Sequence, residues 1–317
     1  MRLAFEAISR EILIVLIGIL ALLIVSSIIA FLLTKFNREK DFSEVNARIK
    51  SWWVMAAVFT MAILINHNVS LIFLAFLCFL AFKEYLSLIP TNRAHRKILF
   101  WAYLSIPIQF FWIYIGWYGM FIIFIPVYMF LFLPIQMILI GENKGFLRTM
   151  GSVHWGLMIM VFGLSHLAYL LVLPGITGEN GAAGAGLILY IVILTQCNDV
   201  AQFIWGKLLG KHKVIPRVSP NKTWEGLIGG IITTVGLALL LAPLLTPLTL
   251  KGTLFTGFLI GLTGFIGDVN ISSLKRDLGI KDTGQTIPGH GGILDRVDSL
   301  TYTAPLFFHF IRYFYFT

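Results

Sequence analysis

The sequence predicts an all-α polytopic membrane protein of about ten (eight to ten) transmembrane helices, with the N-terminus outside. Three observations predict it. Of 317 residues, 58% are hydrophobic and only 12% charged, with a mean hydropathy of +0.87, whereas a soluble domain carries roughly 25% charged residues. Apolar runs approaching the roughly 20 residues needed to cross a bilayer recur along the chain. Basic residues collect in alternate connecting loops. The composition also excludes a disordered chain, which would be poor in apolar residues. The two cysteines, Cys78 and Cys197, each sit inside an apolar run, so a disulfide framework is excluded.

The first run, 12–33, is uncharged. It is long for a secretory signal and lacks a small-residue cleavage pattern, so it reads as a retained anchor. Runs 52–65 and 69–82 follow; both are short, and a re-entrant pair there would lower the count of spans. Next come 98–115, 117–140, 152–173, 186–205, 227–245, 253–266 and 301–315. Tryptophans near run ends, including Trp52, Trp53, Trp101, Trp117 and Trp205, suit an interfacial belt.

With the N-terminus outside, the inside loops carry every basic residue except Arg2, Arg10, Lys251 and Arg312. This is the positive-inside pattern. Topology therefore accounts for the net charge of +9, and nucleic acid is not expected as a partner.

Residues 1–150 read as a block of transmembrane helices with few internal polar groups, and 151–317 as a catalytic transmembrane region with cytoplasmic loops 206–225 and 268–299. Asp199, Glu225, Asp268, Asp277, Asp282, Asp295 and Asp298, seven of the 15 acidic residues, fall from Gln196 onward. Chemistry is expected there.

The stretch from Ser272 to Asp298 is dense in reactive types. Lys275-Arg276 offers adjacent cations. Pro288-Gly-His290-Gly-Gly292 cannot be a helix interior, and its glycines allow positive φ and close approach of backbone N–H groups to an anion. Asp295 and Asp298 are three apart and share a face on a helix. Cations, a flexible cradle and carboxylates suited to a hard divalent ion are what phosphoryl or nucleotidyl transfer requires.

This stretch resembles the signature of the phosphatidate cytidylyltransferases (CDP-diacylglycerol synthases): S-x-x-K-R, then K-D, then P-G-H-G-G-x-x-D-R-x-D, with every position present. Ser219-Pro-Asn-Lys222-Thr223-Trp-Glu225-Gly resembles the family's S-P-x-K-T-W-E-G loop, and Asn198-Asp199 fits a third short element. The resemblance covers roughly 196–299. Gly267-Asp268 opens a G-D-x-x-E-S element, but Ile271 stands at its acidic position, which implies a divergent member. An absent acid beside Asp268 is expected to weaken cation affinity or loosen acceptor choice; the alternative is that Ile271 simply packs in the interior.

The resemblance implies that Asp268 and Asp295, with Asp298 as a further or outer contact, serve a Mg²⁺ centre that a monovalent cation such as K⁺ accompanies. It implies Lys222 for the nucleotide phosphates, with Ser219 and Thr223 as hydroxyl donors and Asp199 as a further acidic candidate. Lys275 and Arg276 would bind substrate phosphates, His290 would orient one, and Lys281, Asp282 and Arg296 complete the catalytic positions. Glu225 is expected to cap or orient its loop. The reaction implied is attack by phosphatidic acid on the α-phosphorus of CTP, in the cytoplasmic (inner) membrane. A CTP-dependent polyprenol or lipid kinase, or a cytidylyltransferase for another lipid phosphate, stays open. A transporter is disfavoured because the charges gather at one face rather than mid-span. A homodimer is compatible with the sequence, which does not set the oligomeric state.

Overall fold

The computed structural model describes residues 9–36, 42–90, 96–141, 145–173, 182–289 and 291–316. His290 lies outside them, as do Arg38, Lys40, Arg93 and Lys144 of the basic loops.

Helices occupy every run read from the sequence. They are α1 (Arg10–Phe36), α2 (Ser43–Leu64), α3 (His67–Leu88), α4 (Arg96–Tyr114), α5 (Tyr118–Ile140), α6 (Phe146–Val172), α7 (Ala182–Leu209), α8 (Trp224–Leu245) and α9 (Leu250–Asp277). A four-residue α10 (Leu294–Val297) and α11 (Leu300–Tyr315) follow. Among the described residues, α1 to α9 are long and apolar enough to cross a membrane. The chain is thus an all-α, multi-pass integral membrane protein.

Three details differ from the sequence expectation. The short runs at 52–65 and 69–82 are not a re-entrant pair: α2 and α3 have 22 residues each, about 33 Å of helix. The charged residues from Ser43 to Lys50 continue α2 rather than forming loop. At the other extreme, α11 has 16 residues, about 24 Å against a hydrocarbon core of about 30 Å. Finally, the loop expected at 206–225 contains an antiparallel ribbon, β1 (Lys213–Ile215) with β2 (Ser219–Thr223).

α1 buries only Ile12, Val15, Leu23 and Ala30, leaving an apolar surface that lipid, not water, can solvate. Wide π turns interrupt α5 at Phe124–Met129 and α6 at Leu157–Gly163. Buried tyrosines find backbone or hydroxyl partners: Tyr85 donates to Ser152 O at 2.8 Å, and Tyr190 meets Thr256 Oγ1 at 3.1 Å.

α7, α8 and α9 pack through small residues. A Cβ at Gly257 or Gly261 of α9 would lie 2.9 or 3.1 Å from the α8 backbone at Val235 or Ile231, and one at Gly226 would lie 2.8 Å from Gln202 O of α7. Glycine therefore permits this approach, as at membrane helix crossings generally. The trio brings the ends of α7 and α9 together with the ribbon. Nearby, Ser51 of α2 donates to Pro288 O at 2.7 Å and Arg48 Nε to Gly289 O at 3.1 Å. At the opposite end, Tyr315 meets Thr249 Oγ1 at 3.0 Å and Tyr169 donates to Gly116 O at 3.0 Å. The polar loops thus share one end of the bundle.

Candidate active site

α9 carries the reactive residues because it runs further than the sequence suggested. Asp268 does not end a span; it lies within the helix, which continues through Lys275 and Arg276 to Asp277. Gly279, at φ +68°, turns the chain out of the helix, and the amides of Gly279 and Ile280 bond back to Arg276 O and Lys275 O. Gly267, Ile271 and Lys275 are spaced four apart on one face. A Cβ at Gly267 would sit 2.7 Å from Asp298 O, so this face presses directly on the segment after α10.

Two lysine–aspartate pairs result. In the first, Lys222 Nζ of β2 lies 2.5 Å from Asp268 Oδ2 and 3.2 Å from Gln202 Oε1, above the Phe265 ring at 5.2 Å. Ser272 donates to Asp268 Oδ1 at 3.1 Å. Beside it, Ser299 donates to Asp199 Oδ1 at 3.0 Å, and the Ser299 amide donates to Asp298 Oδ1 at 2.8 Å. Burial, followed by the nearby charges of Asp268 and Asp199, pushes the Asp298 carboxyl well above the usual carboxylate range. Three acids thus share this floor with Lys222.

In the second pair, Lys275 Nζ donates to Asp295 Oδ1 at 2.8 Å, with both side chains largely buried. Asp295 Oδ2 accepts from the Thr283 amide at 2.9 Å and the Gly292 amide at 3.1 Å, with the Thr283 hydroxyl oxygen 3.0 Å away. Burial opposes the Asp295 charge, but Lys275 and these amides outweigh it and hold the carboxyl below its ordinary range. Gly289 and Gly291 adopt positive φ, +73° and +81°, as expected for a glycine-built cradle. The cradle bends around the chain's own carboxylate: the Gly292 amide points at Asp295.

Other predicted residues take different places. Thr223 is buried, and its Oγ1 caps α8 by accepting from Gly226 N at 3.1 Å. Glu225 orients its loop as expected, accepting from the amides of Lys211 and His212. Ser219 begins β2, and Arg276 pins the adjoining turn by donating to Val218 O at 3.1 Å. Lys281 and Asp282 are exposed on the loop after α9, Asp282 next to the Thr283 that bonds Asp295. Arg296 lies between Asp295 and Asp298, its Nε buried without a hydrogen-bond partner. Ile271 is fully buried, which decides for interior packing.

Sequence reasoning missed Glu84. This α3 residue accepts from the Thr283 hydroxyl, from Ile293 N at 2.9 Å and from Leu294 N at 3.3 Å. Its signal was an acid closing an apolar run in the half read as chemically quiet. Two donors were missed as well: Gln202 Nε2, beside the first pair, and Asn270 Nδ2 of α9 are buried without partners. Among the described residues, no three Asp, Glu, His or Cys side chains gather closely enough to hold a metal alone.

The chain is similar to the uncharacterized protein YnbB of Escherichia coli (strain K12), 46% identical over 294 residues that cover 92% of this chain and 96% of the relative. It is 42% identical over 138 residues to the phosphatidate cytidylyltransferase of Haemophilus influenzae, a match covering 42% of this chain and 46% of that enzyme. For the phosphatidate cytidylyltransferase of Mycobacterium leprae the identity is 40% over 121 residues, 38% of this chain and 39% of that enzyme. The chain thus matches no more than about half the length of these relatives that carry an enzyme name. The family model described as Cytidylyltransferase family matches residues 46–314, well beyond the 196–299 stretch that carries the sequence motifs. The protein is a nucleotidyltransferase, and it belongs to the cytidylyltransferase family.

Proposed function

We propose that the chain transfers a cytidylyl group from CTP to phosphatidic acid, releasing pyrophosphate and forming CDP-diacylglycerol at the cytoplasmic face of the inner membrane. One observation carries the reading: buried cations and unpartnered donors meet at one end of a membrane bundle. Lys222 and Lys275, with Gln202 Nε2, Asn270 Nδ2 and Arg296 Nε, supply positive charge or N–H groups. A buried donor without an acceptor costs about 1–3 kcal/mol, and phosphate oxygens are acceptors of the right kind. The acyl chains remain in lipid while the nucleotide enters from water.

In the reaction, a phosphate oxygen of phosphatidic acid attacks the α-phosphorus of CTP. A new P–O bond forms, the bond to the β-phosphate oxygen breaks, and its electron pair leaves on pyrophosphate. The nucleophile is already anionic, so no strong general base is needed. Lys222 is placed to hold the triphosphate and Lys275 to offset charge on the phosphate that approaches Asp295. The work of the residues is positioning and charge neutralisation.

The oxygen-rich floor fits Mg²⁺, with Asp268 and Asp298 as the residues that would hold it. With no three-ligand cluster among the described residues, phosphates and water would complete the shell, the usual manner for this ion. Asp295 fits that role less well, because three donors already engage its oxygens. Bound Mg²⁺ would supply neutralisation of the triphosphate charge.

The test uses purified full-length protein in detergent with phosphatidic acid, Mg²⁺ and CTP labelled at either the α- or the γ-phosphorus. The expected result is α-label in lipid with one pyrophosphate per liponucleotide. Label from the γ-position in lipid, with CDP released, would instead establish a lipid kinase and overturn the proposal.

A further inference from the structure

The geometry points to Glu84 as a positioning residue that locks the glycine-rich loop into register with the α9 cations. This inference rests on the proposed reaction for its kinetic arm. Glu84 belongs to α3, about two hundred positions from the loop it holds, yet its carboxylate receives the Thr283 hydroxyl and the amides of Ile293 and Leu294. Those amides open α10, whose first turn has unpaired N–H groups and favours a negative partner. Here the cap comes from another helix.

The arrangement is a relay of two carboxylates. Thr283 donates its single hydroxyl hydrogen to Glu84, the nearer carboxylate, and its amide to Asp295. Glu84 fixes the loop from α3, and Asp295 fixes it from α10 while binding Lys275. The space is closed as well: a Cβ on Gly292 would run into Glu84 Oε1, and one on Gly284 would lie 3.2 Å from the Glu84 carboxyl carbon. Gly292 is therefore required partly because Glu84 occupies its side-chain space. Glu84 touches no reacting atom in this arrangement. It acts by setting where Lys275, Asp295 and Arg296 stand relative to one another.

The test compares Glu84→Gln, Thr283→Val and the exposed control Lys83→Gln in the full-length protein. Glutamine keeps the shape but offers an NH₂ group to donors that need an acceptor. Hydrogen exchange reads the loop directly and needs no substrate. In Glu84→Gln, peptides spanning 283–294 are expected to exchange about tenfold faster, with α7 peptides unchanged. Turnover of CTP with phosphatidic acid vesicles should fall about 10- to 100-fold in kcat, with KM for CTP within about threefold. Thr283→Val should give a smaller loss in both readings, and Lys83→Gln none. Wild-type exchange and wild-type kcat in Glu84→Gln would overturn the inference. So would faster exchange throughout the molecule, because that marks a general fold defect. If the wild-type protein forms no liponucleotide at all, the proposed reaction fails while the exchange measurement still decides the role of Glu84.

Discussion

The two lysine–aspartate pairs lie on the same helix end and differ in how completely they are satisfied. Around Asp295, each carboxylate oxygen is bonded, and Glu84 binds the same loop from behind. Around Asp268, the Asp199 and Asp298 carboxyls crowd the ion pair while the side-chain amide of Gln202, whose oxygen meets Lys222, has no acceptor. A saturated network specifies shape; an unsaturated one leaves capacity for a guest. The comparison separates a loop built to be held from a floor built to hold something else.

Removing the charge of the floor should have the largest effect on turnover. Asp268→Asn is expected to lower kcat about 10²- to 10³-fold. Its melting temperature should hold, because Asp199 remains near Lys222 and one source of mutual repulsion among the acids is gone. Parallel turnover and melting measurements check this; substantial residual activity at saturating Mg²⁺ would sink the assignment.

On the loop side, Asp295→Asn should lose activity and stability together, since it leaves the buried Lys275 without its counter-charge, a change that costs about 3 kcal/mol. A variant that melts like wild type would dissolve the distinction between the regions. Beneath both, Ile271→Glu buries a carboxylate in a closed core position. It should melt earlier without responding to less Mg²⁺, whereas a gain in Mg²⁺ response would restore the reading of 271 as a metal-site position.

The smallest expected effect has opposite signs in the two regions. The Asp295 carboxyl is held below its usual range, so its stabilisation is present above about pH 4 and is lost as pH falls through its folded pKa. The Asp298 carboxyl is raised, so its contribution is full below about pH 4 and is lost as pH rises through its folded value. Melting curves should therefore show Asp298→Asn gaining a few degrees over wild type between about pH 4 and pH 8. An advantage that shrinks as pH rises would contradict the placement of Asp298 among like charges.

Much of this was legible in the chain. Apolar runs predict the helices because bilayer thickness fixes their length, and Gly289 and Gly291 take the positive φ their spacing suggested. The extent of helix was less legible. Charge ended a run in the hydropathy reading at Ser43–Lys50 and at Asp268–Asp277, although a helix continues through charge wherever its backbone stays bonded. Roles set by tertiary contact were hidden. Thr223 reads as a substrate hydroxyl until α8 begins one residue later, and Glu84 reads as a loop charge until α3 is seen against α10.

The central claim is that the CTP phosphates are held at the floor, by Lys222, and not by the loop. Calorimetric titration of CTP with Mg²⁺ into wild-type protein, Lys222→Ala and Glu84→Gln tests it most directly. The account predicts that Lys222→Ala loses CTP affinity at least about tenfold, one charged contact being worth 1.5–3 kcal/mol, while Glu84→Gln binds within about threefold of wild type. Wild-type affinity in Lys222→Ala, or the larger loss in Glu84→Gln, would contradict it.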